Sequence, residues 1–278
     1  MRKYYSQRNG KAGYTLDIVA LRTIFSVTIK SFKSRGYFDE YLGKNCQDGF
    51  LPGMAGEDVE GYILKILRKD NLWPLTENIL IFSNEDIFDL VEFFFDHISA
   101  PLEEGSYNHS WNDCGKHFIK FDRMAGRSEF IDDINQALND FDGGYELSTT
   151  GEVLSLGEPE FKALFDASLP VSESNLTAKV NGAITQFKRY GSTLDDRAHS
   201  VRDLADCLEY LRPKLKSSLD KKDENDLFNI VNNFSVRHFN PDQKTNYDKN
   251  IWLSWMFYFY LATIHACTRF LNKKVENR

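Results

Sequence analysis

At 278 residues, with 42% hydrophobic, 14% aromatic and 27% charged side chains, the chain reads as one large or two ordinary globular domains and not as a disordered polymer. Four scattered cysteines (Cys46, Cys114, Cys207, Cys267) form no CxxC pair, which excludes a disulfide scaffold or a zinc ribbon. The net charge of -7 is unevenly spread. Residues 1–35 carry eight Lys/Arg against one acid, residues 36–169 nine against 27, and residues 170–278 17 against 13. Basic ends around an acidic middle let a polyanion approach one face, although pairing of the basic helices with that middle is the plainer reading. The polar, basic first ten residues are expected to hold no secretory signal, which places the protein in the reducing cytoplasm.

Thr15 to Arg35 is predicted to be the first helix, with Gly36 in the C-cap position. A Gly-containing segment leads to a second helix over Asp58 to Arg68, and Pro74 breaks the chain before Ile79-Leu80-Ile81-Phe82. Ser83 with Asp86 three residues on gives an N-cap signal for a helix through His97. After a polar loop, a helix over Ser128 to Phe141 is expected to end at Gly143-Gly144. Tyr145-Glu146-Leu147 and Glu152-Val153-Leu154 around Ser148-Thr149-Thr150-Gly151 predict a β-hairpin. Pro170, with Ser172, Ser174 and Asn175, marks the best boundary, dividing the chain into 1–169 and 170–278.

Beyond it, Leu176 to Tyr190 is amphipathic, and Thr193 with Asp196 opens a longer helix with the row Val201, Leu204, Leu208, Leu211 and Leu215. Pro213 is expected to kink that helix. Glu224 to His238 is predicted to be the third helix and Ile251 to Thr268 the last, which together make an up-down four-helix bundle. The last helix has no Asp, Glu, Lys or Arg and just reaches transmembrane length. Its Tyr and Trp residues are spread along it rather than gathered at its ends, and Ser254, Thr263, His265 and Thr268 interrupt it, so it reads as a buried or interface helix.

On the third bundle helix Asn229, Asn233 and Arg237 follow at i, i+4 and i+8, and His238 closes the helix. An imidazole beside a cation and amides suits RNA cleavage by its own 2′-OH: a base takes the hydroxyl proton, donors hold the phosphate, and no metal is required. The run Asn232-Asn233-Phe234-Ser235-Val236-Arg237-His238, set in a helical bundle, resembles the HEPN family of defence ribonucleases. Its motif is an Arg, usually a following polar residue, and a His a few residues on. Asn233 and His238 match, whereas Asn232 stands where the family has Arg.

Tyr5 to Gly10, Asn71-Leu72-Trp73-Pro74, Ser110-Trp111-Asn112-Asp113-Cys114-Gly115 and the 144–153 hairpin are similar to the N-terminal domains of AbiJ-type abortive-infection proteins. Together the resemblances imply an antiphage protein, mainly α, with a sensing or regulatory N-terminal domain carrying a small β-hairpin. They imply a C-terminal HEPN-like four-helix bundle that acts on RNA, dimerises near Trp252, Trp255 and Tyr258, and works with a companion defence protein. His238 would be the general acid/base, with Asn233 and Arg237 orienting the phosphate. The alternative is a non-catalytic HEPN-like binding or regulatory subunit.

Two further groups carry chemistry. His109, Cys114 and His117, with Asp113 between, offer zinc-ligand types that Cys46 would complete, but at a spacing unlike that of common fingers. No metal or other cofactor is therefore expected. Arg197 and Arg202 lie where an up-down bundle would bring them to the His238 end, although Asp195, Asp196 and Asp203 can pair with them. Signatures for ATP hydrolysis, dinucleotide binding and serine hydrolysis are missing from the sequence.

Overall fold

A computed structural model describes residues 15–47, 49–108, 114–157, 161–170, 173–215 and 248–276, together with Tyr5 and Lys222. The described chain is mainly helical with small antiparallel hairpins. It forms two compact units, Met1–Leu156 and Gly157–Arg278. The division falls after Leu156, ahead of the 169/170 boundary expected from the sequence: Phe161 stacks on Tyr258 of the C-terminal helix at 3.9 Å, and Phe165 lies tilted 6.1 Å from Phe257.

In the N-terminal unit, α1 (Ile18–Ser34) starts where the Asp17 carboxylate accepts the Ala20 N–H at 2.8 Å. Leu21, Phe25, Ile29 and Phe32 form its buried stripe, and Gly36 just past its end takes φ +84°, a conformation that costs glycine little. Short elements follow: α2 (Asp39–Leu42), the hairpin β1 (Lys44–Cys46) with β2 (Gly49–Leu51), α3 (Val59–Leu67) and α4 (Leu75–Asn78). A 3-10 turn over Ile79–Ile81 leads into α5 (Asn84–Asp96).

The Ser83/Asp86 pair closes a reciprocal capping box on α5. This helix buries Ile87, Phe88, Leu90, Val91, Phe93, Phe94 and Phe95. This wide apolar face leaves Glu85, Asp89, Glu92 and Asp96 on the other side of the helix, and the core of the unit is built against it. Rings from α1 and from the turn after it pack on Phe94: Phe25 at 6.2 Å and Phe38 at 5.0 Å.

Strand β3 (Ala100–Pro101) pairs with β4 (Phe121–Asp122), which runs into α6 (Arg123–Leu138). This helix begins five residues before the predicted Ser128, because the Asp122 carboxylate accepts the Ala125 N–H at 3.0 Å. Its Gly126 lets Ala100 approach, since a Cβ there would lie 2.5 Å from the Ala100 nitrogen. The predicted hairpin is present as β5 (Tyr145–Leu147) and β6 (Val153–Ser155), docked on α5 where Glu92 accepts the Val153 N–H at 2.7 Å.

The C-terminal unit has α7 (Lys162–Phe165), α8 (Ser174–Lys188), α9 (Leu194–Leu215) and α10 (Lys249–Glu276). Thr193 and Asp196 form the predicted cap: the Asp196 carboxylate accepts from the Thr193 N–H and hydroxyl, and the Asp196 N–H donates to Thr193 Oγ1. The row Val201, Leu204, Leu208, Leu211 and Leu215 is fully buried, and α9 runs through Pro213 to Leu215. Opposite it, α10 buries Leu253, Met256, Phe257, Tyr260, Leu261 and Ile264, with Phe187 of α8 stacked 3.9 Å from Phe257. The predicted third helix, 224–238, lies outside the described residues, so three long helices of the expected four are seen. Among the described residues no helix is long and apolar enough to cross a membrane.

Candidate functional site

His238, Asn233 and Arg237, with Asn229 and Asn232, lie outside the described residues. What the structure supplies in the same unit is a groove of about 680 Å³ along α10, floored by Phe161, Ser254, Trp255, Tyr258 and Phe259 and edged by Arg197 of α9. The rings are arranged face to face: Trp255 lies 5.5 Å from Phe259 at 14°, and Phe161 lies 3.9 Å from Tyr258 at 11°. They share the groove because positions 251, 255, 258 and 262 recur on one face of a helix.

Arg197 stands one turn into α9, where the Thr193/Asp196 cap fixes the helix start. Its guanidinium carbon sits 5.5 Å from the Phe187 ring, and its buried Nε has no hydrogen-bond partner among the described residues. A guanidinium beside stacked aromatic faces is chemistry that holds a flat, anionic ligand. The sequence singled out Arg197, and Trp255 and Tyr258 as a dimer surface, but not that these residues share one groove with Phe161.

The same face of α10 carries His265, 5% exposed, with neither ring nitrogen hydrogen-bonded among the described residues. Burial, and then the nearby Arg269 charge, hold its pKa below the usual histidine value. In the N-terminal unit His97 is also buried, but fully satisfied. Its Nδ1 lies 2.7 Å from the Phe93 carbonyl and its Nε2 2.9 Å from the Tyr62 hydroxyl, while its ring stacks 4.2 Å from Phe93. Such an imidazole is a packing element and not a free base.

The N-terminal unit has a cleft of about 820 Å³ lined by Lys33, Trp73, Glu57 and Asp58 among others. It also brings Cys46 to Cys114 and His117, which lie 68 and more positions further along the chain. Cys46 Sγ lies 3.4 Å from Cys114 Sγ, which lies 3.0 Å from His117 Nε2. Desolvation, the hydrogen bond to Cys46 and repulsion from that second sulfur push the Cys114 thiol above its ordinary value. The fourth donor considered from the sequence, His109, lies outside the described residues.

Comparison with family models, with curated proteins and with solved structures finds no match, so the resemblance to HEPN and AbiJ-type proteins rests on the residues quoted from the sequence alone.

Proposed function

We propose that this chain is an antiphage, abortive-infection protein whose C-terminal unit binds RNA and cleaves it without a metal. The observation that carries the RNA part of this reading is the groove in which Arg197 borders the Trp255, Phe259 and Tyr258 rings. Bases stack on aromatic faces whatever their sequence, and a guanidinium takes the phosphate. The catalytic part rests on the sequence: His238 as general acid/base, Asn233 and Arg237 as donors to the phosphate. A second copy would sit near the exposed Trp252, on the helix that carries the groove. The N-terminal unit, with its own cleft, would sense the trigger or a companion protein, and the setting would be cytoplasmic.

The second reading, a non-catalytic RNA-binding subunit, is favoured by Asn232, which occupies the position of the family's motif arginine. One experiment separates the two: wild type, His238→Ala and Arg197→Ala incubated with total bacterial RNA in EDTA. Fragments ending in 2′,3′-cyclic phosphate, present with wild type and absent with His238→Ala, establish the ribonuclease. RNA bound but uncut by wild type establishes the binding subunit. In either case Arg197→Ala is expected to weaken binding about tenfold, the loss of one charge-assisted contact. Failure of wild type to bind RNA overturns both.

A further inference from the structure

Residues 46 and 114 are separated by 68 positions, yet the fold sets their sulfurs 3.4 Å apart and adds an imidazole nitrogen 3.0 Å from the second. All three donor atoms lie within 4.8 Å of one another. Zinc bonds of about 2.3 Å to sulfur and 2.0–2.1 Å to nitrogen place tetrahedral ligand atoms about 3.5–3.8 Å apart. The Cys46–Cys114 and Cys114–His117 separations are therefore each within roughly half an ångström of that geometry.

The backbone on both sides is held for the purpose. Cys46 ends β1 opposite Gly49, so a hairpin fixes it. Gly115 takes φ +76°, turning the chain between Cys114 and His117 so that both reach one point. His117 exchanges two backbone hydrogen bonds with Tyr107 (2.8 and 3.0 Å), and the two rings stack at 5.0 Å and 15°. Lys44 Nζ donates to the Lys116 carbonyl at 2.6 Å, tying the two stretches together beside the sulfurs.

Three simpler explanations fit less well. Buried cysteines often serve as small apolar side chains, but Cys46 and Cys114 are only half-buried. A Cys46–Cys114 disulfide would not need a buried imidazole directed at one of its sulfurs, and His117 is 3% exposed. A hard cation such as Mg²⁺ or Ca²⁺ takes oxygen donors, whereas two sulfurs and an imidazole suit a softer ion such as zinc.

We propose that Cys46, Cys114 and His117 bind one Zn²⁺ ion, with the fourth position left to water or a further donor. Binding releases the two thiol protons to solvent and takes the neutral imidazole through Nε2, so the two thiolates balance the ion's charge. The ion links the β1–β2 hairpin to the Cys114–His117 turn across a closed stretch of 68 residues, acting as a structural staple in the N-terminal unit. This inference does not depend on the RNA reading.

The test uses the full chain, purified under reducing conditions. Elemental analysis after dialysis is expected to find one zinc per chain. Replacing it with Co²⁺ is expected to give intense visible ligand-field bands and a thiolate-to-cobalt charge-transfer band. Cys114→Ser and Cys46→Ser should each weaken zinc binding about 100-fold or more, as loss of a ligand exceeds loss of a supporting contact. Cys207→Ala, in the other unit, should keep the zinc. Wild type that holds no zinc and gives no cobalt spectrum while its thiols titrate as free overturns the proposal. So does wild type in which Cys46 and Cys114 are found joined as a disulfide under the same conditions.

Discussion

Asn135 and Leu147 exchange two hydrogen bonds: the Asn135 amide donates to the Leu147 carbonyl at 3.1 Å, and the Leu147 N–H donates to Asn135 Oδ1 at 2.6 Å. A side chain of α6 thus stands in for a third strand beside β5. At Leu147 the outer edge of β5 is thereby satisfied without further sheet.

Asn135→Ala is expected to destabilise the N-terminal unit by about 1–3 kcal/mol, because both Leu147 backbone groups lose their partner in a half-buried place. Asn135→Asp should be no better, since its carboxylate accepts the N–H but repels the Leu147 carbonyl. Urea unfolding of the full chain, followed through the N-terminal unit's transition, measures both. An unchanged midpoint for the alanine variant would remove the amide from the docking of the hairpin.

His97 gives the fold a pH dependence of known sign. Burial, opposed by the hydrogen bond to Phe93 and by Asp96, holds its pKa below the ordinary histidine value, with Arg123 and Arg127 pushing the same way as burial. The neutral ring is the one that accepts from Tyr62. Its contribution is complete above the unfolded value of about 6.5 and is lost as pH falls through the lower folded value. Thermal unfolding between about pH 5 and pH 7 should show wild type gaining stability with pH. His97→Gln, which cannot titrate there, should flatten that slope. Equal slopes would assign the effect to other groups.

His265 invites the opposite substitution. A buried ring with no hydrogen bond among the described residues costs stability, so His265→Leu is expected to leave the C-terminal unit unchanged or to stabilise it by about 1 kcal/mol. Differential scanning calorimetry reads this directly. Clear destabilisation would mean that the imidazole is held by something more than packing. If RNA handling suffers while the fold gains, His265 belongs with the groove on whose helix face it lies.

Much of the helical framework was legible because its signals are local. Capping pairs Ser83/Asp86 and Thr193/Asp196 act over three residues, and the stripes of α1 and α9 repeat at helical spacing. The turn residues of the 145–155 hairpin are equally local. The start of α6 was missed because Arg123, Met124 and Arg127 carry no apolar stripe, and only Asp122 announces the helix. The groove was illegible for a different reason: Phe161, Arg197 and Trp255 meet only when α9 and α10 pack. The sequence offers Cys46 as a zinc ligand, but its approach to within 3.4 Å of the Cys114 sulfur depends on a hairpin and a glycine turn that spacing alone does not reveal. The residues on which the sequence placed catalysis lie outside those described.

The two units differ in how they keep their sulfur. Cys207 and Cys267 are 2% and 1% exposed, and burial pushes both thiols up to about 11, which leaves them inert in the folded bundle. Cys46 and Cys114 are reachable from solvent. An alkylating dye applied to the native, metal-stripped chain would therefore mark only the first unit. Its later appearance on Cys207 would time the opening of the second, so each half carries its own reporter.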